Sequence, residues 1–200
     1  MRALGQVSGA AGPSARERIL GEAFALFYAE GIRAVGVDLL IARSGVAKAT
    51  FYRHFASKND LVVAYLERRR AVLLGWLAEE VAARATRPED QLLAVFDALG
   101  ALFADPEFRG CPVHNTVVEA GTGSAAVRES ALAHQAALER YVAELAAAAG
   151  LPAPADVAAR WVLLMDGAFV GAHRNAGPEA AAVARTVAEH FLSEAVAAAR

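Results

Sequence analysis

GVAKATFYRHFASK, residues 45–58, reads as the end of a tight turn, one short helix, a break, and the start of another helix. Gly45 closes the apolar run Leu39, Leu40, Ile41, Ala42 and is free to take the left-handed conformation that stops a helix. Val46 opens the next segment as a core contact. Phe51 and Phe55 are four apart, so they share a face and can anchor the short helix. At about 100° per residue, Lys48, Ala49, Tyr52 and Arg53 share a neighbouring, outward arc flanked by Thr50 and His54. Such an arc can lie in a major groove and meet both base edges and phosphates. The competing reading from spacing alone is an ordinary surface helix. That reading leads on spacing alone, and the short Gly-containing turn before the helix keeps helix-turn-helix geometry open.

The totals narrow the classes. Two hundred residues suit one or two small domains with a real core. Ala, Leu and Val dominate a 56% hydrophobic composition with few β-branched runs, which favours helices throughout. The formal net charge of −2 is not that of a general nucleic-acid binder, but it is unevenly spread. Residues 1–60 hold eight basic and five acidic side chains, whereas residues 61–200 hold twelve and seventeen. The positive sign thus belongs to the part expected to meet phosphates. A single cysteine, Cys111, excludes an internal disulfide and suits a reducing cytoplasm. No apolar run approaches the ~20 residues of a bilayer span, and the opening lacks the apolar centre of a signal peptide.

RERILGEAFALFYAEGI (residues 16–32) followed by VDLLIARSGVAKATFYRHFASKNDL (residues 37–61) resembles the N-terminal domain of the TetR family of bacterial transcriptional regulators. The specific part is the block G-V-x-K-x-T-x-Y-x-H-F-x-x-K, and the resemblance covers about a quarter of the chain. It implies an all-α homodimer with about nine helices. Its N-terminal three-helix helix-turn-helix domain would bind operator DNA. Its C-terminal helical bundle would dimerise and bind a small effector that releases the DNA. The positions matching the family's DNA contacts are Lys48, Ala49, Thr50, Tyr52, Arg53, His54 and Lys58, and Arg43 of the preceding helix joins them as a candidate. Three positions depart from the pattern. Gly36 stands where Thr often caps the second helix, Ile41 replaces a small Ala, and Asp38 sits where some members carry a basic contact.

The expected organisation is an arm over 1–13, a DNA-binding domain over 14–60 and an effector-binding and dimerisation domain over 61–200. Ser14 and Glu17 have capping-box spacing, so helix one starts there and ends at Gly31. Helix two is expected over 37–44 and helix three over 47–54. Ser57 caps a long fourth helix reaching Arg84, whose first turn holds Lys58 beside the groove. Arg68, Arg69 and Arg70 in that helix read as a solvated collar, and the arm that carries Arg2 reads as a floppy end before a phosphate contact. Pro88 opens the fifth helix and Asp105-Pro106 breaks it. FRGCPVHNTVVEAG (108–121) reads as a loop and short helix. It resembles a subgroup of the family with an R-G-C-x-x-x-N-x-x-x-E signature in the effector domain. A helix capped by Ser124 and two final helices over about 155–175 and 178–199 follow. Gly167 and Gly171 in the first of these allow close helix approach, and the final pair is expected to form a four-helix dimer interface.

Other chemistry is weaker. Gly121, Gly123 and Ala126 match G-x-G-x-x-A, but nothing around them alternates strand and helix, so they read as a turn. Cys111, His114 and Glu119 lack metal-finger spacing, and Cys111 shows no paired base, so neither an enzyme nor a metal or other cofactor is expected. A thiol-dependent enzyme or redox sensor using Cys111 is the distant alternative. The candidate effector pocket comprises Phe96, Phe103, Cys111, His114, Asn115, Glu119, Trp161, Met165 and Phe169. These are aromatics with a few polar groups, suited to a mostly apolar molecule with one polar end. The expected activity is a ligand-responsive repressor on a palindromic operator, with an effector-independent DNA-binding regulator as its alternative.

Overall fold

Local signals place the helices. In the computed structural model, which describes residues 12–175 and 177–198, every regular element is helical. Most of the expected arm, Arg2 included, and the end expected at Ala199 lie outside those residues. Helix α1 (Ala15–Glu30) starts on a complete capping box: Ser14 Oγ accepts from the Glu17 amide and the Glu17 carboxylate accepts from the Ser14 amide. The Ser14 hydrogen bonds hold the Glu17 carboxyl below its usual pKa range. Helix α2 (Val37–Ser44) has Gly36 at its N-cap with no side-chain bond, and Gly45 ends it at φ 63°, ψ 32°. Helix α3 (Lys48–His54) follows at once. The remainder is α4 (Lys58–Arg84), α5 (Pro88–Phe103), α6 (Pro112–Ala120), α7 (Ala125–Ala148), α8 (Pro154–Asn175) and α9 (Glu179–Ala198). Gly121–Gly123 form one 3-10 turn between α6 and α7, as the turn reading of those glycines requires.

The described residues divide into two units, and the division falls inside α4 and α7. The first unit holds residues up to Val72 with Cys111–His134. Its core joins Ile19, Ala23, Phe24 and Phe27 of α1 to Leu40 of α2, Phe51 of α3, Leu61 and Tyr65 of α4, Val113 of α6 and Val127 of α7. Each large side chain buried this way contributes roughly 1.5–3 kcal/mol, so the apolar stripe of α1 organises the unit. Phe24 and Phe27 meet Tyr65 edge-on, with ring centroids 6.1 and 5.4 Å away. Burial pushes the Tyr65 hydroxyl up to about 12, with the Arg69 charge pulling the other way.

Arg69 corrects the solvated-collar expectation. It is 3% exposed, donates to the Phe24 carbonyl oxygen at 2.6 Å, and lies over the rings of Phe24, Tyr28 and Tyr65. Its guanidinium carbon is 3.5 Å from the Phe24 centroid. A planar, weakly hydrated cation tolerates an aromatic cage better than an ammonium does. Arg68 and Arg70 stay half-buried.

The second unit is built by α5, α8 and α9 with parts of α4 and α7. Small residues set the α8–α9 and α5–α9 approaches. A Cβ on Gly171 would lie 3.1 Å from the Ala180 methyl, and one on Gly100 would lie 3.7 Å from that of Ala181. A Cβ on Gly167 meets nothing within 4 Å, so the close approach expected there is not made among the described residues of the chain. Gly167 lies instead on an exposed stripe with Leu163 and Val170.

Candidate nucleic-acid interface

Helix α3 owes its position to its buried side. Phe51 is fully buried and Phe55 nearly so, and their rings are 6.1 Å apart. Val46 is buried at the turn before them. With these three fixed, the 3.6-residue period leaves Lys48, Ala49, Tyr52, Arg53 and His54 exposed, with Thr50 half-buried. Tyr52 packs edge-on against Phe51 at 5.3 Å and remains 45% exposed, so its ring is braced from below while its surface stays open.

Two cations are pre-oriented. Lys48 Nζ stands 3.8 Å from the Asp38 carboxylate of α2, and Arg43 Nε stands 3.3 Å from the Glu22 carboxylate of α1. The Lys48 pair is well exposed, so it is weak and exchangeable for a phosphate. Asp38, noted in the sequence as a departure, thus stands beside a basic side chain of α3. Arg53 and His54 close the C-terminal turn of α3, where the helix dipole favours positive charge.

Lys58 opens α4. Ser57 caps that helix: its hydroxyl accepts from the Asp60 amide at 3.2 Å, and Asp60 accepts in return from the Ser57 amide at 2.8 Å. Lys58 is half-buried, which pulls its pKa below the ordinary lysine value, and the Glu119 charge opposes that shift. The arc is thus a set of donors and one aromatic on a rigid base, with cations able to leave surface carboxylates for phosphates.

Comparison with known proteins fixes the family. Residues 19–65 match the family model for bacterial regulatory proteins of the tetR family, and residues 88–188 match that for the tetracyclin repressor-like C-terminal domain. The chain belongs to the TetR family. It is similar over 96% of its length to SCO4454, a TetR-family transcriptional regulator from Streptomyces coelicolor, with 30% identity, TM-score 0.82 and 98% of that chain covered. A TetR transcriptional regulator from Chloroflexus aurantiacus shares the fold at 24% identity and TM-score 0.74, covering 90% of this chain and 94% of that one. The activator FasR of Mycolicibacterium smegmatis is 40% identical over 53 residues, 26% of this chain and 24% of FasR. This TetR-family chain is accordingly a transcriptional regulator, and the all-helical fold with nine helices among the described residues is that of its structural neighbours.

The residues expected to line an effector pocket fall into two groups. Phe96, Phe103, Trp161, Met165 and Phe169 belong to the second unit, and each is at most 5% exposed. Phe96 packs on Trp161 at 6.1 Å, and Phe103 on Phe169 at 5.1 Å. Trp161 Nε1 donates to the Leu92 carbonyl oxygen at 2.9 Å, so its one polar atom is satisfied. Cys111, His114, Asn115 and Glu119 belong to the first unit. Cys111 caps α6 half-buried against the core, His114 is exposed, and Asn115 is half-buried. The Glu119 carboxylate accepts from the Arg33 amide at 2.9 Å. Sequence reasoning missed that contact and the burial of Arg69. Glu119 falls on the face of α6 that buries Pro112 and Thr116, and a carboxylate on such a face signals that a partner is needed.

Proposed function

We propose that this regulator is a ligand-responsive repressor that binds a palindromic operator as a homodimer and is released by a small, mostly apolar effector. The carrying observation is the exposed arc of Lys48, Ala49, Tyr52, Arg53 and His54 standing on buried Phe51 and Phe55. Residues 14–60 are the DNA-binding part in this reading and residues 61–200 the effector and pairing part, acting in the cytoplasm without catalysis. Two copies of α3 would enter successive major grooves about 34–36 Å apart. Pairing is supported by apolar side chains left bare on α8 (Leu163, 72% exposed, and Val170) and α9 (Val183, 66%, and Val187). FasR is an activator by name, but the similarity spans only 24% of its length, too little to carry over the sign of regulation.

Binding to promoter fragments recovered by genomic footprinting tests the proposal. Arg53→Ala and Tyr52→Ala weaken binding to the recovered site more than to random duplex. Lys58→Ala weakens both alike and flattens the slope of log K against log salt by about 0.9. No preference of the parent for any fragment over random DNA overturns the proposal. The packed state of Phe96, Trp161, Phe103 and Phe169 favours one second reading, an effector-independent regulator. Metabolite extracts that never shift the footprint would select it.

A further inference from the structure

Glu119 meets the DNA-binding segment at three places, all within the first unit. Its Oε2 accepts from the Arg33 amide at 2.9 Å, across a sequence separation of 86 residues. Its two carboxylate oxygens lie 2.7 and 2.8 Å from the position a Cβ would take on Gly31. Gly31 ends α1 at φ 88°, ψ 158°, a conformation open to glycine alone. Arg33, Lys58, Asn59 and Glu119 also line one surface depression, and the Glu119 charge acts on the Lys58 ammonium. The carboxylate therefore seats itself on a turn shaped to receive it and shares a depression with the cation expected to reach a phosphate.

We infer that Glu119 is a positioning residue for DNA binding: its bond to the Arg33 amide fixes the α1–α2 turn, and its charge holds Lys58 back from phosphate until DNA displaces it. The inference rests on the DNA-binding reading above and deepens it. The two roles separate chemically. Glutamine keeps an oxygen that accepts from the Arg33 amide and removes the charge. Alanine removes both.

The experiment uses the full-length chain and a random-sequence duplex, so no operator is needed. Glu119→Gln raises affinity about two- to fivefold at low salt, steepens the salt slope by up to about 0.9, and loses the gain at high salt. The gain disappears in Lys58→Ala/Glu119→Gln. In the free protein, amide exchange at Arg33 stays near the parent rate in Glu119→Gln and accelerates tenfold or more in Glu119→Ala. Equal affinity and slope for the parent and Glu119→Gln, or a gain that persists without Lys58, overturns the charge role. Unchanged Arg33 exchange in Glu119→Ala overturns the turn role. Failure of the parent to bind any duplex removes the proposed function instead, and the charge role with it, while the exchange measurement still decides the turn role.

Discussion

His134 couples the stability of this protein to pH. It is 7% exposed in α7, its Nδ1 has no hydrogen-bond partner, and burial, with the Arg70 charge added, brings its pKa down to about 4. The unfolded chain has the ordinary value near 6.5. Below pH 6.5 the unfolded state therefore takes up a proton that the folded state refuses. Stability from this group is intact above about pH 6.5, is lost as pH falls toward 4, and does not change further below that. A depression of this size corresponds to roughly 3 kcal/mol in full, of which between about 1 and 2 kcal/mol is gone by pH 5.5. That is a large share of a typical domain stability of about 5–15 kcal/mol. The perturbation is His134→Leu, which keeps the buried volume and removes the titrating group. Urea unfolding of both proteins at pH 7.5 and 5.5 isolates the term, since every other titrating group is common to them. The parent loses about 1–2 kcal/mol more than the variant between the two pH values. An equal loss in both refutes the reasoning.

Arg69→Met keeps the stacked volume without a buried cation and stays within about 1 kcal/mol of the parent in urea unfolding, whereas Arg69→Ala costs about 3 kcal/mol or more; equal costs would show that the charge itself is required. Gly31→Ala costs roughly 1–3 kcal/mol from its backbone alone. Adding Glu119→Ala relieves only the steric part, so a double mutant restored to the Glu119→Ala level would refute the φ argument. Leu163→Glu combined with Val183→Glu yields monomers in sedimentation velocity and abolishes operator binding at the parent's working concentration; an unchanged sedimentation coefficient would remove these stripes from the pairing surface.

Helix ends were legible because their signals are local. Ser14 with Glu17, Gly45, Pro88 and Ser124 each act within about four residues, and each stands where the sequence puts a cap or a stop. The outward arc of α3 was legible for the same reason, since the positions of Phe51 and Phe55 dictate it. Arg69 was misread by composition: three arginines in a row suggest solvent, yet Tyr65, Arg69 and Leu73 are spaced by four along one buried stripe. Glu119 was half legible. Its spacing to Thr116 announces a buried-side carboxylate, but its partner amide is 86 residues away, and pairing at that range is a property of the packed chain. The role of Gly31 was hidden likewise, since a stop glycine and a glycine that seats a distant carboxylate look identical in the sequence.

The Lys48–Asp38 pair carries a last implication for discrimination. Asp38 is 91% exposed, and a phosphate that captures Lys48 leaves this carboxylate unaccompanied beside the polyanion. On the proposed DNA-binding reading, loose, sliding encounters would meet repulsion as soon as they recruit the lysine. Only a base sequence that lets α3 sit deep enough to add further contacts would offset it, so this acidic side chain would make the regulator less adhesive toward the rest of the chromosome.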